Sequence, residues 1–356
     1  MTGINRRTFL TSGALALGAT ALPVATGAPA LAVPSEPTVL AEGLRIPWSL
    51  TFLPNGNALT GERDTRRVYR VFKAGGRGLV GRVEGGATKL FGLALSPTYS
   101  TDHLLYAHVL TATDARILRM TWTATAGLGA PEVVFSGIPR GRNHHGGGLL
   151  FGPHYEFNHD LFVSVGDKGK PWQAPQKDSL AGKILRIRSD GSVPTDNPFG
   201  TTNPVWSRGH RNVEAMTSSE DGTMYSVEFG EDTTDEMNRM FYGGHYGWPA
   251  VEGGDGDGPF RDPYVTWSPT STCSPAGIAA MGGYAYVGAL QGQCVYRVRI
   301  VRPAPDQPEV LPFFQGTYGR IRAVQAAPDG SVWFTTSNND PKFPSVTDDR
   351  VVRFLP

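Results

Sequence analysis

From Ile46 onward the chain repeats one pattern six times. An apolar run of strand length leads into a turn containing Pro, Gly, Asn or Asp. A second apolar run follows, and often a third of the form Val-Tyr-Arg-Val. The units begin at Ile46, Leu90, Gly146, Asn212, Ser274 and Arg320, and VVRFLP closes the chain. Their spacing, about 40 to 60 residues, is that of radially repeated small sheets. A single sheet of this size cannot cover both of its faces, and stacking around an axis covers each face with a neighbour. The high Gly and Pro content, 45 and 28 residues, and the lack of long amphipathic helical patterns agree. The expected fold is all-β, a six-bladed β-propeller, formed as one domain over residues 33–356. Inner strands then start at a central channel, and the loops that enter them form one face of the ring.

Residues 1–32 read as a segment outside that fold. Arg6 and Arg7 precede Phe9-Leu10, a weakly apolar Ala/Gly-rich stretch follows, and Ala30-Leu31-Ala32 fits a small-x-small cleavage site. The run NRRTFL resembles a twin-arginine export signal. The expectation is export to the periplasm or beyond, with a mature chain starting near Val33. No later run is long and apolar enough to span a bilayer. The net charge of +1, with mixed signs along the chain, gives no basic stripe for nucleic acid. Two cysteines, Cys273 and Cys294, in an exported chain lead us to expect a disulfide.

Three segments carry chemistry. RNHHGGGLLFGPH, Arg142 to His154, places two imidazoles before three glycines at the start of the third unit. Glycine adds no packing, so such a run signals close approach of another backbone or of a flat ligand. WSRGHRNVEAM sets Arg211 and Asn212 just before an inner strand. Arginine offers a planar fork for carboxylates and asparagine an orientable amide. EFGEDTTDEMNRMFYGGHYGWP combines carboxylates with irregular backbone, the hard oxygen donors that suit calcium. Other signals fail. GGDGDG lacks the glutamate and spacing of an EF-hand loop, no Gly-x-Ser-x-Gly elbow occurs, and no glycine motif joins a strand to a helix.

With these segments, GLRIPWSL, GLALSPTY, VSVGD, LAGKILRIRSDGSVPTDNPF and GRIRAV, the mature chain resembles the soluble, calcium- and pyrroloquinoline-quinone-dependent glucose/aldose sugar dehydrogenases. The resemblance implies an enzyme that oxidises a sugar, passes a hydride to the quinone and then reduces an external electron acceptor. In the register that places LLFGP on the family's strand, the catalytic base is His144, and His145 takes the adjoining substrate-side position. Asp167 of VSVGD matches the aspartate that orients the histidine. Arg211 and Asn212 match the cofactor-binding pair, and Arg320 and Arg322 of GRIR match a second arginine pair directed at the quinone carboxylates. The carbonyls of Gly230 and Glu231 match ligands of the cofactor's calcium. Asp235, Glu236 and the carbonyl of Tyr246 resemble parts of a second, structural calcium site. Tyr264 and Trp267 match aromatics at the substrate mouth.

The chain departs from that pattern in three places. Ala87-Thr88 stands where the family has glutamine or glutamate ahead of the GLAL strand. Asn143 stands where some members have aspartate. The lysine that contacts the quinone falls at Gln291. Two other readings use the same fold: a metal-dependent lactonase, needing carboxylates and asparagine converging on an axial calcium, and a non-catalytic carbohydrate- or protein-binding propeller. His144, Asp167 and the two arginine pairs favour the dehydrogenase.

Overall fold

The computed structural model describes residues 34–356 except 154–156, 158, 255, 257, 302–306 and 342–348. The segment expected to be a signal peptide lies outside the described residues. Among those described, the strands form six antiparallel sheets. The first blade takes Pro47–Phe52, Ala58–Glu62, Arg67–Val71 and Arg77–Arg82. The second takes Lys89–Leu95, Leu104–Leu110, Asp114–Thr123 and Glu132–Pro139, with Gly127–Leu128 folding back onto its third strand. Leu149–Phe151, Leu161–Val165, Lys183–Ile187 and Val205–Arg208 form the third. The fourth holds Val213–Ser218, Met224–Glu228, Asp235–Arg239 and Val265–Trp267. The fifth holds Pro275–Met281, Tyr284–Ala289, Cys294–Arg299 and Val310–Phe313. The sixth is composite: Ile321–Ala326, Val332–Thr336 and Asp349–Phe354 are completed by Thr38–Leu44 from the other end of the chain.

Strand alternation explains the ring. In Leu161–Val165, Leu161, Val163 and Val165 enter the apolar cluster shared with the second blade, while Phe162 enters the one shared with the fourth. Leu105, Ala107 and Val109 likewise face the first blade, and Tyr106 and Leu110 face the third. Each blade interface therefore has its own apolar cluster. First strands of consecutive blades contact one another around the axis, and the sixth contacts the first, which closes the circle.

The expected disulfide is not formed. Cys273 and Cys294 are free, buried thiols within the cluster between the fourth and fifth blades. Burial among apolar side chains pushes Cys294 up to about 11 and Cys273 well above its ordinary value, so both pack as small protonated hydrophobes.

One carboxylate adds a polar tie to the closure. Asp349 starts the last strand and is fully buried. Its Oδ2 accepts from the Ile46 N–H of the first blade at 2.7 Å. Its Oδ1 accepts from the Asn338 N–H, from the Asn339 N–H at 3.4 Å and from Thr336 Oγ1 at 3.2 Å. A buried donor without a partner costs about 1–3 kcal/mol. Asp349→Ala should therefore lower unfolding free energy by about 3 kcal/mol or more, and Asp349→Asn by less, measured by urea denaturation. Wild-type stability in Asp349→Ala would contradict this role.

Candidate active site at the channel mouth

The loops entering the inner strands enclose a cavity of about 570 Å³ at one end of the channel. His144, His145, Arg320, Arg322, Asn212 and Glu214 line it, together with Arg63, Asp64 and Lys89 from the first two blades. Trp48 and Phe91 supply its aromatic wall.

The glycine run explains how the histidines reach this position. A Cβ on Gly146 would lie 2.6 Å from the Ser164 carbonyl oxygen, and one on Gly147 would meet the Phe91 Cβ and the Trp48 ring at 2.8 and 2.9 Å. One on Gly148 would come 3.1 Å from the Glu214 carbonyl oxygen of the next blade. The run thus marks close approach of neighbouring blades, not an open seat for a flat ligand. Gly146 at φ 63° and Gly147 at φ 123° occupy backbone that L side chains rarely adopt. Asn212 fixes the turn from the fourth blade, its Oδ1 accepting the Gly146 N–H at 3.0 Å.

His144 is held in one orientation. Its Nδ1 lies 2.6 Å from Asp167 Oδ1. The carboxylate is fully buried, and its other oxygen accepts the Trp248 indole N–H at 2.9 Å. Burial opposes ionisation of Asp167, but the His144 imidazole, the Gly169 N–H and the Trp248 indole outweigh it and hold the carboxyl below its usual value. An ionised acceptor at Nδ1 requires the proton on that nitrogen, which leaves Nε2 as the basic atom. Asn143 Nδ2 sits 3.3 Å from Nε2.

His145 differs. Its ring stacks on Phe91 at 5.3 Å. Burial, with Lys168 and other cations nearby, pulls its pKa to about 3. The ring is neutral at neutral pH and forms part of the cavity wall. Lys168 anchors it from behind, donating Nζ–H to the His145 carbonyl at 2.9 Å. Lys168 itself is brought to about 7 by burial, against the attraction of Asp167.

The charged residues pair in two groups. Arg322 Nη1 lies 3.0 Å from Glu214 Oε2, and Asn212 Nδ2 donates to Glu214 Oε1 at 2.7 Å. Arg63 bridges Asp64 at 3.0 Å and Asp340 at 3.1 Å, and Lys89 lies 3.4 Å from Asp64. Arg320, brought to about 10 by burial and by the adjacent Arg322, remains a cation at neutral pH.

The sequence profile of the glucose/sorbosone dehydrogenase family matches residues 44–344. The chain belongs to this family. It superposes on the pyrroloquinoline-quinone-bound aldose sugar dehydrogenase of Streptomyces coelicolor with a TM-score of 0.83 and 36% identity, covering 91% of this chain and 99% of that one. It is 28% identical to quinoprotein glucose dehydrogenase B of Acinetobacter calcoaceticus over 68% of this chain and 58% of that protein. It is also 28% identical to aldose sugar dehydrogenase YliI of Escherichia coli (strain K12) over 63% of this chain and 64% of that protein. The matches thus span less than two thirds of the length of these two dehydrogenases. Structures at lower identity, such as the apo-form aldose sugar dehydrogenase of Escherichia coli at 22% and a TM-score of 0.76, share the fold.

The cavity suits the family's quinone in size and charge. Its volume lies in the range of cofactor pockets. The cations Arg63, Lys89, Arg142, Arg320 and Arg322 outnumber the carboxylates Asp64, Glu214 and Asp340 on its wall, as a polyanion requires. Beside it, Arg211 stacks against Trp248 at 5.5 Å and donates to the Phe229 carbonyl at 3.3 Å, while its buried Nε has no hydrogen-bond partner.

The carbonyls of Gly230 and Glu231, expected to hold the cofactor's calcium, do not face Glu252. Glu252 Oε1 accepts the N–H groups of Glu231, Asp232, Thr233 and Thr234 at 2.7 to 3.2 Å. In a trans peptide the preceding carbonyl points opposite to the N–H, so those of Gly230 and Glu231 turn away from Glu252. The side chains expected at a second calcium are already engaged. Asp235 accepts from the Gly230 and Ser274 N–H groups at 3.0 and 2.6 Å. Glu236 accepts from Gly253 N–H at 2.7 Å and Asn238 Nδ2 at 3.0 Å. Tyr246, expected there through its main-chain carbonyl, has its hydroxyl donating to the Arg239 carbonyl at 2.6 Å and its ring stacked on His210. Among the described residues no three His, Cys, Asp or Glu side chains are grouped to hold a metal. As arranged, this set secures the blade-four loops through hydrogen bonds.

Other expected residues lie away from the cavity. Tyr264 donates to the Arg299 carbonyl at 2.9 Å, and Trp267 is buried, both packing between the fourth and fifth blades. Neither reaches the mouth, because both belong to the outer edge of their sheet. Gln291 is exposed in a turn whose N–H donates to the Cys273 carbonyl, and its neighbour Leu290 faces the cavity instead. Conversely, Glu214, Arg63, Lys89 and Trp248 were not singled out from sequence. Glu214 was the most accessible of these, an acid inside the apolar inner strand that directly follows Arg211-Asn212.

Asp167→Asn tests the orientation. The amide can turn a donor towards Nδ1, so the His144 imidazole should lose its Nδ1–H preference, read by ¹⁵N NMR of labelled histidine. An unchanged tautomer would show that Asp167 does not set it.

Proposed function

We propose that the protein is an aldose-type sugar dehydrogenase that uses pyrroloquinoline quinone, with calcium held at the Gly230 and Glu231 carbonyls. The observation that carries this reading is a histidine, fixed by a buried Asp167–Trp248 pair, facing a cation-rich cavity. His144 Nε2 accepts the proton of the sugar hydroxyl that is oxidised. Asp167 offsets the positive charge that then forms on the imidazole. When bound, the quinone supplies the two-electron acceptor for the hydride from the same carbon. Phe91, Trp48 and the stacked His145 form the apolar side of the substrate space. The electrons pass on to an external acceptor.

A lactonase would need carboxylates gathered around an axial metal. The carboxylate at the channel axis, Glu214, is instead bound to Arg322 and Asn212, which favours the dehydrogenase. The proposal includes export by the twin-arginine-type signal, checked by an intact mass beginning near Val33 in secreted material.

Reconstitution tests the function. Calcium-loaded apoprotein mixed with quinone should give a bound chromophore that an aldose bleaches, and no uptake of quinone would refute the reading. His144→Ala should slow that bleaching by about 10²–10⁴-fold while quinone affinity stays near wild type. His145→Ala should act mainly on the sugar concentration needed. The reverse pattern would assign the base to His145.

A further inference from the structure

The cations of the cavity wall are not all equally available to an incoming anion. Arg322 lies on the inner strand of the sixth blade and Glu214 on that of the fourth, so their 3.0 Å contact reaches past the fifth blade across the channel. Both residues are buried, at 5% and 6% exposure. The second Glu214 oxygen is taken by Asn212 Nδ2, so the carboxylate cannot leave Arg322 without breaking that contact too. Arg322 is further fixed by Trp48, whose ring lies 5.3 Å from its guanidinium carbon, and by Ser337 Oγ, 3.4 Å from Nε. This buried ion pair forms part of the cavity wall, with its positive member on the strand assigned by resemblance to the quinone carboxylates.

We propose that Glu214 is an internal counter-ion that competes with the bound quinone for Arg322. It keeps the cofactor's affinity below what the arginines alone would give. The inference rests on the quinone reading above and assigns a role to a residue outside the expected cofactor contacts. Its physical basis is desolvation. A guanidinium buried alone is costly, so the apoprotein needs a partner for Arg322 when no cofactor is present. Glu214 is that partner, and it allows the empty propeller to fold with its cavity already shaped. The same carboxylate then faces the anionic quinone when it arrives. Arg322 is shared between two acceptors, and the quinone gains less from it than from an arginine without an internal partner. The result is a cofactor that can load onto, and leave, a prefolded protein.

The test is a charge cycle read by equilibrium quinone titration into calcium-loaded protein and by thermal unfolding with and without quinone. Glu214→Gln removes the competing charge but keeps an acceptor for Arg322. Its apoprotein should melt below wild type, bind quinone roughly tenfold or more tightly, and gain more in Tm from quinone than wild type does. The double variant Glu214→Gln with Arg322→Gln carries no charge at this pair, so it guards against failure to fold. It should bind quinone within about threefold of wild type, because the charge it loses was already countered. Equal or weaker binding by Glu214→Gln would overturn the inference and leave the quinone reading intact. So would a loss of about tenfold or more in the double variant. Absence of quinone binding in wild type itself would overturn both.

Discussion

The structure depends on one constraint: each blade is a sheet with two apolar faces, and no blade can cover both alone. Leu161, Val163 and Val165 need the second blade, while Phe162 on the same strand needs the fourth. Only a closed circle satisfies every sheet, and the circle has a seam. Thr38–Leu44 fills the last place in the sixth blade, and Asp349 ties that blade to Ile46 of the first. The channel mouth owes its geometry to this closure, since all six blades or the loops entering them contribute to its wall.

Rigidity at the mouth comes from bonds that cross blade boundaries. Asn212 of the fourth blade pins the glycine turn of the third, and Trp248 reaches Asp167 from a loop far along the chain. Lys168 holds the His145 carbonyl from behind. The Asn212 and Trp248 bonds are buried, where a hydrogen bond is strong and its loss expensive. These bonds fix the His144 ring in one orientation against the cavity. Five cations and three carboxylates line the same wall, so its formal charge is positive.

Much of this was legible in the sequence, because strand alternation and turn residues are local signals. The six unit starts fall within a few residues of the first strand of each blade. The pairing of His144 with Asp167 and the arrival of Arg320 and Arg322 at the mouth follow from the motifs together with the fold. What was not legible depends on long-range register. Tyr264 and Trp267 sit at an outer sheet edge, and Gln291 turns to solvent where Leu290 turns in. The N-terminal strand of the sixth blade gives no signal of its distant partner, and Cys273 and Cys294 are packed as apolar groups. Glu214 could be suspected as an acid on an inner strand, but its partner lies about a hundred residues away, across the channel.

The most direct measurement is a crystal structure of the protein loaded with pyrroloquinoline quinone. The account predicts the quinone in the cavity between His144 and the Arg320–Arg322 strand, its carboxylates towards the arginines and its reactive face open to His144 Nε2. Quinone bound elsewhere on the ring, or a cavity still empty at saturating quinone, would contradict it.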